Sequence, residues 1–327
     1  MKAVVCKQWG GPETLVIEDI ALPEPSAGEV KIRVRAAGVN FPDVLIIQKK
    51  YQIQPALPFT PGAEIAGEVL AVGEGVAHVK AGDRVVSFCG LGGFAEEVIA
   101  PAAVTMLMPP GVSYPLASVF SLAYGTSWHA VRDRAALQAG ETMLVLGAAG
   151  GVGLAAVEIG KAIGARVVAC ASTDEKLAIC KQHGADALIN YTGLDGAGLR
   201  EAIKRECGKS GPDVIYDPVG GKFAEPCFRS IAWRGRYLVV GFADGEIPAL
   251  AWNLALLKGA SIVGVFWGEF AKREAANNQK GMAEMIGWIR EGKLKPLISR
   301  SYRLEETAQA LMDMAARKVT GKVVIAP

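Results

Sequence analysis

The stretch Thr142–Gly153, which reads TMLVLGAAGGVG, is the part of the sequence that decides the fold. Its apolar run Met143–Leu146 is typical of a strand buried on both faces of a parallel sheet. The apolar segment that follows, Leu154–Ile163, predicts a helix packed against that sheet. A strand, a glycine-rich turn and a helix N-terminus together form an anion site, because unpaired N–H groups and the positive end of the helix dipole converge there.

The glycines of this turn favour dinucleotide binding over an ordinary tight turn. Glycine is needed where the backbone touches a pyrophosphate without an intervening Cβ, and where the helix lies close to the strand. The spacing is one residue longer than the common GxGxxG pattern, yet the buried strand before it and the apolar helix after it indicate the same function. The predicted cofactor-binding residues of the turn are Gly147, Ala149, Gly150, Gly151, Val152 and Gly153.

The bulk properties narrow the class of protein. A composition of 51% hydrophobic and 21% charged residues over 327 residues is ordinary for a soluble globular chain, and the length favours two domains. The net charge of +2 gives no electrostatic reason to expect nucleic acid or an anionic membrane as a partner. Residues 1–11, MKAVVCKQWGG, are too poor in apolar residues for a signal peptide, and no apolar run approaches the roughly 18 residues of a membrane span. We therefore expect a small-molecule substrate as the main partner.

The cysteines indicate the compartment. The chain has six of them, scattered and without a CxxC pair. This pattern argues against a disulfide framework and against a zinc knuckle, and favours a reducing environment. The expected localisation is cytoplasmic.

Hydrophobic periodicity divides the chain into three parts. Residues 1–122 read as β-strands separated by Gly/Pro clusters. Strands and helices then alternate, which predicts an α/β fold with a doubly wound parallel sheet of the Rossmann type. The predicted coenzyme domain spans residues 123–266, and it is inserted between a β-rich catalytic domain, residues 1–122, and a C-terminal return to that domain, residues 267–327. Within this return we expect one long helix over Glu269–Glu291.

The end of the second strand of the coenzyme sheet indicates which nicotinamide cofactor the chain binds. In NAD-binding sheets this strand usually ends on an acid that holds the ribose 2′-hydroxyl, whereas here Arg166–Ala171 ends next to Ser172. Ser172 and Glu175 fit a capping box at the start of the next helix. Lys176 in the first helical turn is disfavoured by the dipole unless it meets an anion. The alternatives are a solvated lysine and a lysine that binds a 2′-phosphate beside Ser172 and Tyr191; we favour the phosphate, and hence NADPH.

Several motifs together carry a family resemblance. They are GVNFPD (Gly38–Asp43), KYQIQPALPFTPGAEIAG (Lys50–Gly67), AGDRV (Ala81–Val85), GAAGGVG (Gly147–Gly153), YDPVGG (Tyr216–Gly221) and TGKVV (Thr320–Val324). Over essentially its full length the chain resembles the medium-chain dehydrogenase/reductase superfamily, and within it the zinc-free quinone oxidoreductases related to zeta-crystallin. The resemblance implies a GroES-like catalytic domain around the coenzyme domain.

The metal ligands of the zinc-dependent branch are missing. That branch has a cysteine where this chain has Asn40 and a histidine where it has Ala63, and its structural-zinc loop has no counterpart between residues 88 and 100. A catalytic zinc needs about three protein ligands, and we expect no metal. None of the three histidines is expected to be a ligand: His78, His129 and His183. Without a Lewis acid the hydride acceptor must already be electrophilic, such as a quinone, an α,β-unsaturated carbonyl compound or an enoyl thioester.

The resemblance also implies the residues at the reacting end. Asn40 is expected to hold the nicotinamide carboxamide or the ribose, the alternative being a turn cap. Asp43 is expected to orient a neighbour or a water, the alternative being a helix cap. Tyr51 is expected to donate a hydrogen bond or a proton to an oxygen that gains charge, the alternative being simple packing. Further cofactor-binding residues are expected in an early helix and at the carboxyl ends of two later strands: Thr126, Gly241, Phe242, Phe266 and Trp267.

One stretch departs from the family pattern. Better known quinone reductases end this loop on RxGxY, where this chain has Ile47-Gln48-Lys49-Lys50-Tyr51. The lysines favour an acceptor with an anionic portion, such as an acyl-CoA, unless they are merely solvated. Three functions stay open: an NADPH-dependent quinone or enone reductase, which we favour; an enoyl thioester or enone reductase with little quinone activity; and a non-catalytic NADPH-binding protein with a structural or RNA-associated role.

A homodimer is the last expectation. The resemblance implies that the apolar strand Ile262–Phe266, late in the coenzyme sheet, pairs with its twin across a two-fold axis. An exposed apolar edge would otherwise invite aggregation.

Overall fold

The computed structural model describes all residues, 1–327, and they form two compact units. The first unit comprises residues 1–122 together with residues 296–327, and the second comprises residues 123–295. No helix combines the length and the apolar character needed to cross a membrane.

The strands and helices are numbered along the chain. The strands are β1 (Lys2–Val5), β2 (Val16–Asp19), β3 (Glu29–Gly38), β4 (Glu64–Val72), β5 (Arg84–Ser87), β6 (Glu97–Pro101), β7 (Thr105–Leu107), β8 (Thr142–Val145), β9 (Arg166–Ala171), β10 (Ala187–Asn190), β11 (Val214–Asp217), β12 (Arg236–Val239), β13 (Ser261–Gly264), β14 (Ile298–Arg303) and β15 (Lys322–Ala326). The helices are α1 (Phe41–Ile47), α2 (Tyr114–Ser118), α3 (Ser121–Trp128), α4 (Gly151–Ile163), α5 (Asp174–Gln182), α6 (Gly196–Cys207), α7 (Ala224–Ser230), α8 (Asn253–Lys258), α9 (Trp267–Arg273), α10 (Ala275–Arg290) and α11 (Thr307–Ala315).

The first unit contains a seven-stranded sheet and a separate pair of strands, β1 and β2. The order of the seven-stranded sheet is β14-β15-β3-β4-β5-β7, with β6 also paired to β3. β3 alternates buried and less buried residues over most of its length, as a strand with one face on the core should. β15 pairs antiparallel with the end of β3, from which the chain enters α1. The start of α1 therefore lies beside the first residues of β15.

A six-stranded parallel sheet forms the second unit. Its order is β10-β9-β8-β11-β12-β13, which is the order of a dinucleotide-binding Rossmann sheet. β8 is buried from its second residue onward, as the apolar run predicted. An open sheet of this type binds ligands outside the carboxyl ends of its strands, where the strand order reverses beside β8. The predicted fold class is confirmed, and the glycine turn after β8 lies at this reversal point.

The buried Glu158, in the middle of α4, connects the beginning and the end of the second unit. Its Oε2 accepts a hydrogen bond from the Tyr124 hydroxyl at 2.7 Å and another from the Lys295 backbone N–H at 3.1 Å. Its Oε1 lies 2.5 Å from Nδ1 of His183. A carboxylate within an apolar helix needs such partners, because an unpaired buried charge is costly.

The end of the second unit differs from the predicted boundary at residue 267, because residues 267–295 fold with it. The Phe270 ring of α9 stacks on His129 with centroids 3.9 Å apart. Trp288 of α10 meets Trp128 edge-on at 5.1 Å. These contacts bury the apolar faces of α9 and α10 against the helical segment that opens the unit.

Three further elements differ from prediction. The single helix expected over Glu269–Glu291 is two helices, which separate at Glu274, where the backbone leaves the helical region with ψ of +46°. β13 ends at Gly264 and not at Phe266. The short helices α1 and α2 were not predicted, since they contain too few residues for a clear helical period.

Candidate functional site

The glycine turn after β8 has the geometry that an anion site requires. Gly147 has a φ of +57°, and Gly150 is the extended N-cap of α4. A Cβ at Gly153 would lie 2.3 Å from the Gly147 carbonyl oxygen, so only glycine allows this approach of helix and turn. No side chain caps α4, which leaves its first N–H groups to a bound anion. The helix begins at Gly151 and not at the predicted Leu154, because the glycines themselves form its first turn.

The structure brings Ser172, Lys176 and Tyr191 together at the carboxyl ends of β9 and β10. Lys176 Nζ donates to Ser172 Oγ at 3.3 Å. The Tyr191 N–H donates to the carbonyl of Ala171, the residue before Ser172, at 3.2 Å. The Tyr191 ring packs on Phe223 with centroids 4.6 Å apart. An ammonium, a hydroxyl and a phenol at one edge of the sheet are donors suited to a phosphate.

The cap of α5 differs from the predicted one. Thr173 is the N-cap, and its Oγ1 accepts the Lys176 N–H at 3.3 Å. The capping box of Ser172 and Glu175 is therefore wrong: two adjacent hydroxyl residues are both good caps, and the second takes the position. Ser172 lies outside the helix, where its hydroxyl meets the Lys176 ammonium instead.

A cavity of about 470 Å³ opens in the second unit close to this group. Its walls are the turn Gly193–Gly196, Leu199 of α6, and the side chains of Lys222, Phe223 and Pro226. Because Phe223 also packs against Tyr191, the cavity adjoins the predicted phosphate-binding residues. Its volume is within the range of small-molecule sites.

The other predicted cofactor residues of the second unit have different surroundings. Thr126 is half-buried on α3, and Gly241 and Phe242, also half-buried, lie two and three residues after the end of β12. Phe266 is 52% exposed after the end of β13. Trp267 is buried, and its Nε1 donates to Asn278 Oδ1 at 3.0 Å. The Trp267 indole thus packs inside the unit, and a contact of these residues with a cofactor stays a prediction.

In the first unit, Asn40 and Asp43 lie at the start of α1. Asp43 Oδ2 accepts the Asn40 backbone N–H at 2.8 Å, which is the capping contact considered from the sequence. The Asn40 Nδ2 donates to Glu64 Oε1 at 2.9 Å and to the Gly38 carbonyl at 3.3 Å. The Asn40 Oδ1 accepts a hydrogen bond from Lys322 Nζ. The carboxamide is thereby held in one orientation.

Burial sets the protonation of the candidate acid groups. Asp43 is fully buried, and its second oxygen, Oδ1, has no hydrogen-bond partner. Burial raises the pKa of Asp43 from 3.8 to about 7, although the Asn40 N–H and the Lys322 charge oppose the rise. Burial, and after it the Asp43 charge, also raises the pKa of Tyr51. Near neutral pH, Asp43 is divided between acid and carboxylate, while Tyr51 keeps its proton.

Two buried charged residues of this site were not predicted. Glu64 is 0% exposed and Lys322 is 4% exposed, and Nζ of the lysine lies 3.0 Å from Oε1 of the glutamate. The available signal was a lysine at the head of the apolar strand Lys322–Ile325 and a glutamate within the apolar PGAEIAG run. Charges in such surroundings are almost always paired.

No group of three or more His, Cys, Asp or Glu side chains in the structure is arranged to hold a metal ion. Ala63, at the position of the zinc-branch histidine, is buried. Zinc independence stays a prediction.

The sequence matches two family models. The alcohol dehydrogenase GroES-like domain matches residues 26–110, in the first unit, and the zinc-binding dehydrogenase model matches residues 151–286, in the second. A quinone oxidoreductase-like protein 2 homolog from Nematostella vectensis is 39% identical over 99% of this chain and 88% of its own length. The chain belongs to the quinone oxidoreductase family. This family lies within the medium-chain dehydrogenase/reductase superfamily, as the motifs predicted.

Two solved structures of this family share the whole fold. A mycobacterial protein complexed with NADPH has a TM-score of 0.93 and 31% identity, with 100% of both chains covered. The Escherichia coli quinone oxidoreductase complexed with NADPH has a TM-score of 0.92 and 27% identity, also with 100% of both chains covered. The GroES-like and Rossmann parts of this quinone oxidoreductase family member are thus common to its relatives.

Proposed function

We propose that this protein is an NADPH-dependent, zinc-independent oxidoreductase that transfers hydride to a quinone or to an activated α,β-unsaturated carbonyl compound. The observation that carries the proposal is the pair of phosphate-suited features in the second unit, the uncapped start of α4 and the group around Lys176. Relatives that were solved with NADPH support it. Bound NADPH would supply the hydride, and the acceptor must also gain a proton.

In this proposal the second unit selects the cofactor by its phosphates. The N–H groups at the start of α4 bind the pyrophosphate, aided by the helix dipole. Lys176, Ser172 and Tyr191 bind the 2′-phosphate that distinguishes NADPH from NADH. Ser172, directly after β9, stands where NAD-binding sheets usually have an acid. No carboxylate at this position would therefore bind the free 2′-hydroxyl of NADH.

In this proposal the first unit supplies the proton that the acceptor gains. Tyr51 donates a hydrogen bond or its proton to the acceptor oxygen, for which a protonated phenol is suited. Asp43 lies in electrostatic range of Tyr51, and its unpartnered Oδ1 can hold a proton near neutral pH. Asn40, held by Glu64 and Lys322, offers a preoriented amide to the cofactor.

A panel of acceptors tests the proposal. Quinones, enones and enoyl-CoA esters are assayed by NADPH oxidation, and NADPH binding is measured separately by fluorescence. We expect binding together with turnover of quinones or enones. Tight NADPH binding with no turnover of any acceptor would contradict an enzymatic role and favour a non-catalytic NADPH-binding protein.

An enoyl thioester reductase is the second candidate, because Lys49 and Lys50 are exposed directly before Tyr51. Lys49 has a φ of +57°, and its ammonium lies 5.8 Å from the Trp9 ring centroid. Lys50 Nζ donates to Gln48 Oε1 at 2.8 Å. Both lysines thus have local partners, and the same panel separates the candidates: a large KM advantage of the CoA ester over its short thioester analogue, abolished in Lys50→Ala, favours the second.

The compartment and the assembly are proposals as well. All six cysteines are free, which fits a reducing compartment such as the cytoplasm. A homodimer through the β13 edge is proposed from the exposed apolar residues around that strand.

A further inference from the structure

Lys322 is buried at the head of β15 with each of its N–H groups in use. Its Nζ donates to the Val39 carbonyl at 3.1 Å, to Glu64 Oε1 at 3.0 Å and to Asn40 Oδ1. All three partners are oxygen acceptors, which matches the three donors of an ammonium group. The geometry therefore describes a lysine cation enclosed within the first unit.

Glu64 supplies the balancing charge. Its Oε1 is shared between the Lys322 ammonium and the Asn40 Nδ2, and its Oε2 accepts the Leu122 N–H at 2.9 Å. The orientation of the Asn40 amide follows from these two charges. Its oxygen must face the ammonium, which only donates, and its NH₂ must face the carboxylate, which only accepts.

Asp43 lies next to this pair through the Asn40 backbone N–H. The charges of Lys322 on β15 and Glu64 on β4 act on it, and burial and, after it, the Asp43 charge raise the pKa values of Cys89, after β5, and Tyr51, after α1. Of these four only Lys322 is positive. Its charge favours the ionised form of Asp43, while Glu64 and burial favour the protonated form.

We propose that Lys322 is a positioning residue, whose three hydrogen bonds fix the Asn40 carboxamide and whose charge acts on the adjacent Asp43. The inference deepens the proposed function and rests on it, because Asn40 and Asp43 serve the cofactor and the acceptor there.

The titration of Asp43 tests this role directly. It is followed by carboxyl ¹³C NMR on protein labelled at aspartate, with the Asp43 signal assigned by its loss in Asp43→Asn. Lys322→Met removes the cation and keeps an unbranched side chain, so the Asp43 titration moves to higher pH by about one to three pH units. Glu64→Gln removes the opposing charge and moves it to lower pH. Lys322→Arg keeps the cation and leaves the titration close to that of the wild type.

A double variant tests the same role if Lys322→Met alone does not fold. Lys322→Met leaves Glu64 buried without a counter-charge, which is strongly destabilising. In Lys322→Met/Glu64→Gln no uncompensated charge is left, and this variant differs from Glu64→Gln only in the cation. The inference expects a higher Asp43 titration in the double variant than in Glu64→Gln. Equal titrations in these two folded proteins would overturn it and leave Lys322 as a space-filling residue.

Kinetics distinguish this inference from the proposed function. If the wild type reduces acceptors, the pH profile of kcat/KM in each variant is expected to move in the same direction as its Asp43 titration. A titration that moves while the profile does not would contradict the positioning role. If the wild type reduces no acceptor at all, the proposed function fails, whereas the NMR comparison still decides whether Lys322 controls Asp43.

Discussion

The two carboxylate oxygens of Asp43 have different surroundings. Oδ2 accepts the Asn40 N–H at the start of α1, and Oδ1 is buried without a partner. The capping contact alone would explain an aspartate at this position. The capping contact does not explain the unpartnered oxygen, since buried polar atoms almost always have partners, and this oxygen is the atom of Asp43 that can hold a proton.

The raised pKa of Asp43 predicts a stability change with pH. Below about pH 4 the carboxyl is protonated in both the folded and the unfolded chain, so it has no effect. Between pH 4 and about pH 7 only the unfolded chain releases the proton, which lowers the free energy of unfolding by several kcal/mol, and the loss is complete above pH 7. Asp43→Asn is therefore expected to be more stable than the wild type at pH 8, with a difference that shrinks towards pH 4.

Chemical denaturation at pH 4.5 and pH 8 measures this effect. Asp19→Asn, at an exposed position of β2, serves as the control and should change neither value. A stability difference between Asp43→Asn and the wild type that is independent of pH would show that Asp43 does not titrate in this range.

Tyr51→Phe keeps the ring and deletes only the hydroxyl. We expect turnover to fall ~3- to 30-fold with NADPH affinity unchanged, since one donor in a dry site can contribute up to ~10²–10³ and this site is half-buried. Steady-state kinetics with an enone and a quinone measure the change. Wild-type rates in Tyr51→Phe together with a loss in Tyr51→Ala would identify Tyr51 as a wall of the pocket, with water as the proton source.

At this scale the family motifs predicted roles for Asn40, Asp43 and Tyr51, which stay predictions, but they did not predict which side chains surround these residues. Lys322 and Asn40 lie at opposite ends of the chain, and only the pairing of β15 with β3 brings them together. No local pattern reports such a contact. The sequence signals were charged residues in apolar surroundings, a lysine at the start of an apolar strand and a glutamate within an apolar run.

At the scale of elements, α4 and its glycine turn allow a paired test. A Cβ at Gly150 would meet only the Gly147 oxygen at 3.4 Å, whereas one at Gly153 would lie 2.3 Å from that oxygen. Gly150→Ala is expected to fold normally and to weaken NADPH binding more than roughly tenfold, because the methyl group stands where an anion would approach. Gly153→Ala is expected to lower the unfolding midpoint by roughly 5 °C or more.

Thermal unfolding and NADPH titration on both variants check this pair. Because Gly150 has ordinary extended dihedrals, alanine adds no backbone strain there. Normal NADPH affinity in a folded Gly150→Ala protein would mean that the pyrophosphate does not approach this turn.

The β9–α5 junction carries the cofactor preference. Lys176→Ala is expected to weaken NADPH roughly 10- to 150-fold, from a lysine–phosphate contribution of ~1.5–3 kcal/mol, and to leave NADH almost unchanged. Dissociation constants for both cofactors measure the effect. The matched control is Lys181→Ala, on the same helix, whose Nζ reaches the Asp186 carbonyl at 3.5 Å. Equal losses for NADPH and NADH in Lys176→Ala would make the lysine structural.

The bounds of a strand could be predicted from the sequence where both faces of the strand are buried. β9 has the predicted bounds, because a buried parallel strand is a continuous apolar run between turns. The helix predicted over Glu269–Glu291 was wrong in its continuity, since amphipathic periodicity does not register a local break such as that at Glu274. The capping hydroxyl at Thr173 was also missed, because Ser172 and Thr173 are adjacent and both are favoured N-cap residues.

On the scale of the whole molecule, the second unit exposes an apolar area along its sheet edge. β13 is the last strand of its sheet, and Ile262 on it is 40% exposed. The neighbouring α8 exposes Leu256 and Leu257, with Trp252 directly before it at 83% exposure. An edge strand flanked by exposed apolar side chains is typical of a surface that pairs with another chain.

We expect a homodimer that Ile262→Lys weakens, since a buried charge at the two-fold axis would face its own copy. Sedimentation equilibrium at micromolar concentration measures the assembly. Leu107→Lys places the same charge on β7, the exposed edge strand of the first unit, and should leave the dimer intact. A stable monomer of the wild-type chain would refute the expectation.

The hydrogen bonds of Glu158 have a consequence for how such a chain arose. Tyr124 and Lys295, near the two ends of the second unit, both donate to one oxygen of this carboxylate. A segment whose ends nearly touch can enter a surface loop of a host protein without stretching it, and domain insertion is tolerated for this reason. Because Tyr124 and Lys295 bind the same carboxylate oxygen, residues 123–295 could be replaced as one segment by a related coenzyme domain with a different cofactor preference.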